Sequence, residues 1–423
     1  MKKVMVVVVF ALLISSLAFS QAVFSVVKVP GASANSVTGI NNSGQVLVNM
    51  AVNDSYQVLV WNRITGAQDI GLTGTNSGGS AINNSGEVVG SGDMDHSGKM
   101  QAFVWRPTTG LQNLGSLGGD LSAAGGINDS GAVVGFSYTA TNEQHAFLWT
   151  QASGIQDVTP DLTSVGGGSA VGINSSNQVV GYYFPNGSVN TLGLSWTQAG
   201  GIQGLGMPGT LAFAVNDAGT IVGKSPLANG YKHAFAKTAT GSIQDLGTLG
   251  GAESSALSVN SKGWIVGTSL TNSTNGLAHG FLWTPGAGMQ DFTVVAGLST
   301  NQQPYSLQVN DAGVIVLTTN KGGYLLVPKT TATFTSSVNP SKLGQPVMFT
   351  VVLTSIAGAP PDGEMVQFVA GGKVLGSSPL QAGVAQFTTS AIAKGSHAVV
   401  ASYLGDANYL PAKYAALMQV VNP

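Results

Sequence analysis

No cysteine occurs among the 423 residues. That excludes a disulfide framework, a thiolate metal site and a lipidated cysteine. Charge is scarce as well: Asp, Glu, Lys and Arg together make up 8% of the chain, with a net charge of −2. There is no basic field to hold nucleic acid and no acidic tail. No GxSxG, HExxH or phosphate-loop motif is present. With only 18 carboxylate side chains, paired-acid glycosidase chemistry has few candidates. Long apolar runs are missing too, with one exception at the start.

That exception reads MKKVMVVVVFALLISSLAFSQA. Lys2 and Lys3 form a short positive region, Val4 to Phe10 open an apolar core, and Ala18 and Ser20 supply small residues before a cleavage point. Residues 1–20 are expected to be a signal peptide. The mature chain is then exported, with no membrane insertion after cleavage.

What the chain has in abundance is glycine, 59 residues, together with Val and Thr. This composition suggests β-strands joined by tight turns. One box returns seven times: GINNSGQVL, AINNSGEVVG, GINDSGAVVG, GINSSNQVVG, AVNDAGTIVG, SVNSKGWIVG and QVNDAGVIV. Its asparagines are Asn41, Asn83, Asn128, Asn174, Asn216, Asn260 and Asn310, spaced 42, 45, 46, 42, 44 and 50 residues apart. A period in this range fits four-stranded propeller blades.

Each period holds four strand-like segments. The first ends in Ile or Val before the box asparagine and carries small residues at alternate positions, such as Ala124 and Gly126, or Ala212 and Ala214. Small side chains on one face suit a crowded central axis. The box itself reads as a hairpin turn whose last position wants a left-handed conformation, hence Gly, with Asn177 as the next-best residue. The second strand is Val/Ile-Val-Gly. The third is QAFVW at 101–105, HAFLW at 145–149, HAFAK at 233–237 or HGFLW at 279–283. The fourth follows a Gly turn, as in IQDVT at 155–159 or IQDLG at 243–247. Only six fourth strands are legible. Phe24–Val29 is the candidate for the seventh, which would let both ends of the repeat share one blade and close the ring.

The third-strand motif resembles the bacterial extracellular repeat family named for His-Ala-Phe, complete here at His145-Ala146-Phe147 and His233-Ala234-Phe235 and degenerate at 101–103 and 279–281. The resemblance spans roughly residues 24–328 and implies an exported repeat protein; it transfers no activity and no catalytic residue. Residues 331–423 differ, with seven short Thr/Val-rich strands expected near 331–336, 347–354, 365–369, 373–376, 384–389, 397–403 and 413–421. That count suggests an Ig-like sandwich. Asn339-Pro340, Gly344-Gln345-Pro346-Val347 and the Tyr403-Leu404-Gly405-Asp406-Ala407-Asn408-Tyr409 corner resemble bacterial Ig-like repeat domains, without the cysteine pair of antibody domains. The resemblance implies a spacer or adhesion module. The expected organisation is a signal peptide at 1–20, an all-β seven-bladed propeller at 21–328 and an Ig-like β-sandwich at 329–423.

Candidate chemistry is thin. His145, His233 and His279 share one register on different blades, so they do not converge on one metal, and a strand-end hydrogen-bonding role is expected. Asp69, Asp157, Asp245 and Asp291 also share a register, but Asn113 and Gly204 occupy it elsewhere, so their carboxylates read as turn or strand contacts. Asp93-Met94-Asp95-His96-Ser97-Gly98 resembles the start of a calcium loop, but Val104 stands where the bidentate Glu is needed. No cofactor and no metal are expected.

In a four-stranded meander, the Asn boxes and the third-to-fourth turns share one face. The loops that vary in length share the other, and function usually lives in such loops. The nominated ligand-binding residues there are Tyr182, Tyr183, Phe184, Tyr138, Tyr231 and Tyr305, since aromatics can stack on a sugar or a partner side chain. For Tyr182–Phe184, an equally open reading is that two of the three rings complete a strand inside the blade. The expected function is secreted or cell-surface, non-catalytic recognition of an extracellular glycan or protein. A carbohydrate-active hydrolase or lyase and a structural envelope component are the alternatives.

Overall fold

The computed structural model describes residues 23–33, 36–52, 55–72, 77–94, 97–161, 167–186, 188–272, 276–295, 298 and 303–423. The expected signal peptide and the pair Asp95-His96 lie outside them.

Through Pro328 the described residues form seven four-stranded antiparallel sheets, like propeller blades. The first six run as simple meanders. Sheet one, for example, is Val37–Ile40, Gln45–Val52, Ser55–Asn62 and Gly66–Asp69, paired in that order. Sheets two to six repeat the order, ending with Gly250–Val259, Ile265–Thr271, Ala278–Thr284 and Gly288–Asp291. The seventh is built from both ends of the repeat: Pro304–Val309, Ile315–Thr319 and Gly322–Pro328 are completed by Phe24–Lys28, with Phe24 opposite Pro328. Two outer elements are shorter than their motifs suggest. Sheet five has only Gln244–Asp245, and in sheet six the segment after Asp291 turns into a single helical turn, Phe292–Val295.

The packing follows the residue pattern. The Val-Val or Ile-Val pairs of the second strands and the Ala-Phe of the third strands are buried, and they form clusters that bridge neighbouring sheets. Phe147, for instance, packs with Val89, Val104 and Leu114 of the preceding sheet. Burying such side chains between sheets stabilises by roughly 1.5–3 kcal/mol each. The glycine that recurs in the second strands of sheets two to six, where sheets one and seven have Val48 and Leu317, has a steric reason. A Cβ at Gly135 would sit 2.0 Å from the carbonyl oxygen of Ala123, and Gly181 and Gly223 meet the same obstacle.

Residues 331–422 form the second unit. One sheet is Thr331–Ser336, Val347–Thr354 and Val384–Thr389; the other orders Ser341–Lys342, Leu417–Asn422, Gly395–Tyr403, Met365–Ala370 and Lys373–Pro379. The alternation of buried and exposed residues along Val347–Thr354 is that of a sheet with one face in the core. That core holds Phe349, Val351, Phe368, Val399, Tyr403 and Tyr409. The short strand Ser341–Lys342 is absent from the sequence reading, because two residues carry no periodicity.

Candidate functional site

The site is defined by which face of the seven-sheet unit is free, and that begins with the boxes. In every box the asparagine Oδ1 accepts the backbone N–H four residues on, at 2.9–3.0 Å. The fourth position has positive φ, 69° at Gly44, 78° at Gly131 and 59° at Asn177. The amide nitrogen is then free to reach out of the sheet. Asn41 Nδ2 donates to the carbonyl of Asn83, Asn83 to Asn128, Asn128 to Asn174, Asn174 to Asn216, Asn216 to Asn260, and Asn260 to Asn310. Asn310 donates back to Asn41. Seven buried asparagines thus make one closed ring of sheet-to-sheet bonds. A buried amide without partners would cost about 1–3 kcal/mol, so each link favours the neighbour's presence.

A cavity of about 210 Å³ opens at the axis on this side, ringed by Asn84, Asp129, Asp217 and Asp311. These side chains are engaged by backbones of the neighbouring boxes: Asn84 N–H donates to Asp129, Ser175 N–H to Asp217, and Ser261 N–H to Asp311. A second axial cavity of about 190 Å³ lies beyond a collar that includes Ile40, Ile82, Ile127 and Ile173.

The Ig-like unit sits on the box face. Asn310 Nδ2 also donates to Asn408 Oδ1, and Asn408 Nδ2 donates to the carbonyl of Asn42, both at 2.8 Å. The second acceptor for Asn41, Asn83 and Asn174 is a side chain of its own turn, Gln45, Glu87 and Gln178. In the seventh box that position is Val314, which offers none, and Asn408 takes its place. Lys262 Nζ donates to the carbonyl of Ala357 at 2.6 Å, and Arg63 donates to the carbonyls of Asp406 and Tyr409. Burial holds both cations below their usual range, with Asp311 opposing the shift at Lys262 and Asp406 opposing it at Arg63. Gly44 and Gly313 permit this closeness. A Cβ there would lie 2.8 Å and 2.7 Å from the Cβ of Ala407 and Ala357. The docking therefore spans the boxes of sheets six, seven and one.

The opposite face carries the loops of varying length, and the nominated aromatics fall on it. Tyr138 and Tyr183 lie at the ends of second strands, Tyr231 precedes a third, and Tyr305 lies at the start of an inner strand. They belong to sheets three, four, five and seven. Tyr231 and Tyr305 are half exposed, at 50% and 49%. Tyr138 meets Phe136 edge-on. Tyr182 and Phe184 are partly covered. Tyr183 packs against the cluster of Val134, Ala146 and Leu194 between sheets three and four. Its hydroxyl lies 3.2 Å from where a Cβ of Gly204 would be. That ring is a packing element as well as a face residue.

The recurrent histidines and aspartates belong together. His145 Nδ1 lies 2.6 Å from Asp157, His279 Nδ1 2.7 Å from Asp291, and His233 Nδ1 3.0 Å from Asp245. The other carboxylate oxygen accepts a backbone N–H two residues on, Thr159 or Thr293. In sheet two the same places hold Gln101 and Asn113, and these bond to each other. In sheet four they hold Leu192 and Gly204, beneath Tyr183. In sheets two and four both positions differ together, whereas sheet one keeps the aspartate, Asp69, with Gln57 in the histidine's place. Their common separation of twelve residues is visible in the sequence and could have revealed the pairing. His145 and His279 are buried, whereas His233 opens onto an apolar cavity of about 240 Å³ with Met207, Leu227 and Ile243. A neighbouring cavity of about 240 Å³, between sheets five and six, contains Lys224, Lys232, Glu253 and Thr268.

Among known proteins, the family model described as a bacterial Ig-like domain (group 3) matches residues 333–422. No curated protein matches the chain. Solved structures similar to it include a streptogramin B lyase, at 12% identity and TM-score 0.45, covering 73% of this chain and 99% of its own. A gluconolactonase from Xanthomonas campestris, at 11% identity and TM-score 0.41, covers 74% and 93%. A puromycin hydrolase, at 11% identity and TM-score 0.41, covers 91% and 61%.

Proposed function

We propose that the chain is an exported, non-catalytic binding protein: a closed seven-bladed propeller of the His-Ala-Phe repeat kind that recognises an extracellular glycan or protein through its loop-bearing face. The observation that carries this reading is the position of the Ig-like unit. It occupies the box face through Asn408, Arg63 and Lys262, so the face left for a partner is the one with varied loops and half-exposed tyrosines. A rigid scaffold with variable loops on one side is the usual arrangement of binding sites. The repeated polar groups support a scaffolding role rather than chemistry. The asparagines serve the ring, and the His–Asp pairs tie third strands to fourth.

The test is a glycan array and a hydrolysis assay on the same glycans, using the chain without residues 1–20. Binding with no product supports the reading. Turnover would replace it with a carbohydrate-active hydrolase or lyase, and neither binding nor turnover would favour a structural envelope component.

A further inference from the structure

The repeat supplies its own control for which residues are scaffold. At the position after the second-strand glycine of sheets two to six, or after Val48 in sheet one, the sheets carry Asn49, Ser91, Phe136, Tyr182, Lys224 and Thr268 in order. At the position before the third-strand histidine or its equivalent, sheets two, three, five and six carry Met100, Gln144, Lys232 and Ala278. Only sheet five places lysine at both.

Those two positions are neighbours. Lys224 pairs with Ala234 and Pro226 with Lys232 across adjacent strands. Lys224 and Lys232 are therefore diagonal partners on one face, about 7–8 Å apart at the backbone. It is the face that packs Val222, Ala234 and Ala236 against sheet six. At its loop end this apolar contact gives way to a cavity of about 240 Å³ holding both lysines, Glu253, Ser255 and Thr268. Both lysines are partly buried, and neither forms an ion pair or side-chain hydrogen bond among the described residues. Like charges held close on one sheet face oppose folding, and Glu253, the carboxylate that shares the cavity, forms no ion pair with either lysine.

We propose that this cavity is a subsite for an acidic sugar, a uronate unit of an extracellular polysaccharide, whose carboxylate is held between Lys224 and Lys232. The inference rests on the binding reading above and names its ligand class. Glu253, Ser255 and Thr268 supply acceptors and donors for sugar hydroxyls. The exposed ring of Tyr231, next to Lys232 in sequence, offers a flat surface for an adjoining unit. The cavity is smaller than the roughly 300–1,000 Å³ of drug-sized sites. That favours one compact anionic ring over a peptide segment.

The experiment is calorimetric titration of the mature chain with sodium oligogalacturonate, its methyl ester and poly-glutamate. Wild type should bind oligogalacturonate, more weakly at higher salt. Lys224→Gln and Lys232→Gln should each reduce affinity about tenfold, since a charge-assisted bond is worth roughly that ratio. Melting of both variants should stay at or above wild type, because repulsion is relieved. Equal binding of the methyl ester, unchanged affinity in both variants, or tighter binding of poly-glutamate would overturn the uronate assignment. If oligogalacturonate fails while a neutral glycan from the array binds, this inference falls and the binding reading stands. If nothing binds, both fall.

Discussion

Asn310, in the last box, donates through Nδ2 to the carbonyl of Asn41, in the first, at 3.0 Å and across 269 residues. This bond joins the two ends of a ring whose other six links connect consecutive sheets. Asn310→Ala removes that link, the bond to Asn408 and the acceptor for Val314 N–H. Leaving these groups unpaired is expected to destabilise by about 1–3 kcal/mol or more. Urea unfolding should show a larger loss than for Asn42→Ala, whose side chain is exposed. Equal effects would mean that the ring does not hold the sheets together.

The contact between His145 and Asp157 can be tested by a double-mutant cycle in sheet three. Asp157→Asn and His145→Gln should each destabilise. The double variant, which recreates the Gln101–Asn113 arrangement, should lose less than the sum, with a coupling of about 0.5 kcal/mol or more. Additive losses would show that the 2.6 Å contact carries no energy of its own.

Tyr183 and Tyr231 should part company. Tyr183 packs between sheets, so Tyr183→Ala should lower stability by roughly half of the 3–5 kcal/mol lost on truncating a fully buried aromatic. Tyr231→Ala should leave thermal melting unchanged and weaken ligand binding. A melting loss at Tyr231, or none at Tyr183, would reverse these roles.

Glu364 offers a pH test within the Ig-like unit. Burial, and then the nearby Asp406, raise its carboxyl above the usual range. The folded state therefore binds this proton more tightly than the unfolded chain does. The stability from that proton is fully present below the unfolded value of about 4.3 and is lost as pH rises through the higher folded value. Glu364→Gln should stabilise relative to wild type at pH 7, and the gap should close in acid. A gap that persists in acid would assign the effect to packing rather than charge.

Local chemistry repeated many times was legible in the sequence. The seven boxes announced their turns because the same asparagine and glycine recur, and Asn177 fitted because asparagine is among the few non-glycine residues that tolerate positive φ without a large penalty. Phe24–Lys28 was legible as the missing outer strand by counting. The strands 331–336, 347–354 and 384–389 followed from their alternation. Contacts between distant, unrepeated residues stayed hidden. Nothing around Asn408 signals that it completes the seventh box, because the vacancy it fills is a valine 94 positions earlier. The His–Asp pairing shows in the sequence only as a constant spacing of twelve residues, which becomes a contact once third and fourth strands pair. The lysines of sheet five became conspicuous only once strand register put them side by side.

Ligands are expected to meet the loop face. Hydrogen exchange of the chain without residues 1–20, with and without a glycan retained on the array, reads this out. Protection should rise in the backbone around Tyr138, Tyr183 and Tyr231–Lys232, while the boxes at Asn84, Asp129 and Asp217 remain unchanged. Protection confined to those boxes, or to the Ig-like unit, would contradict the claim.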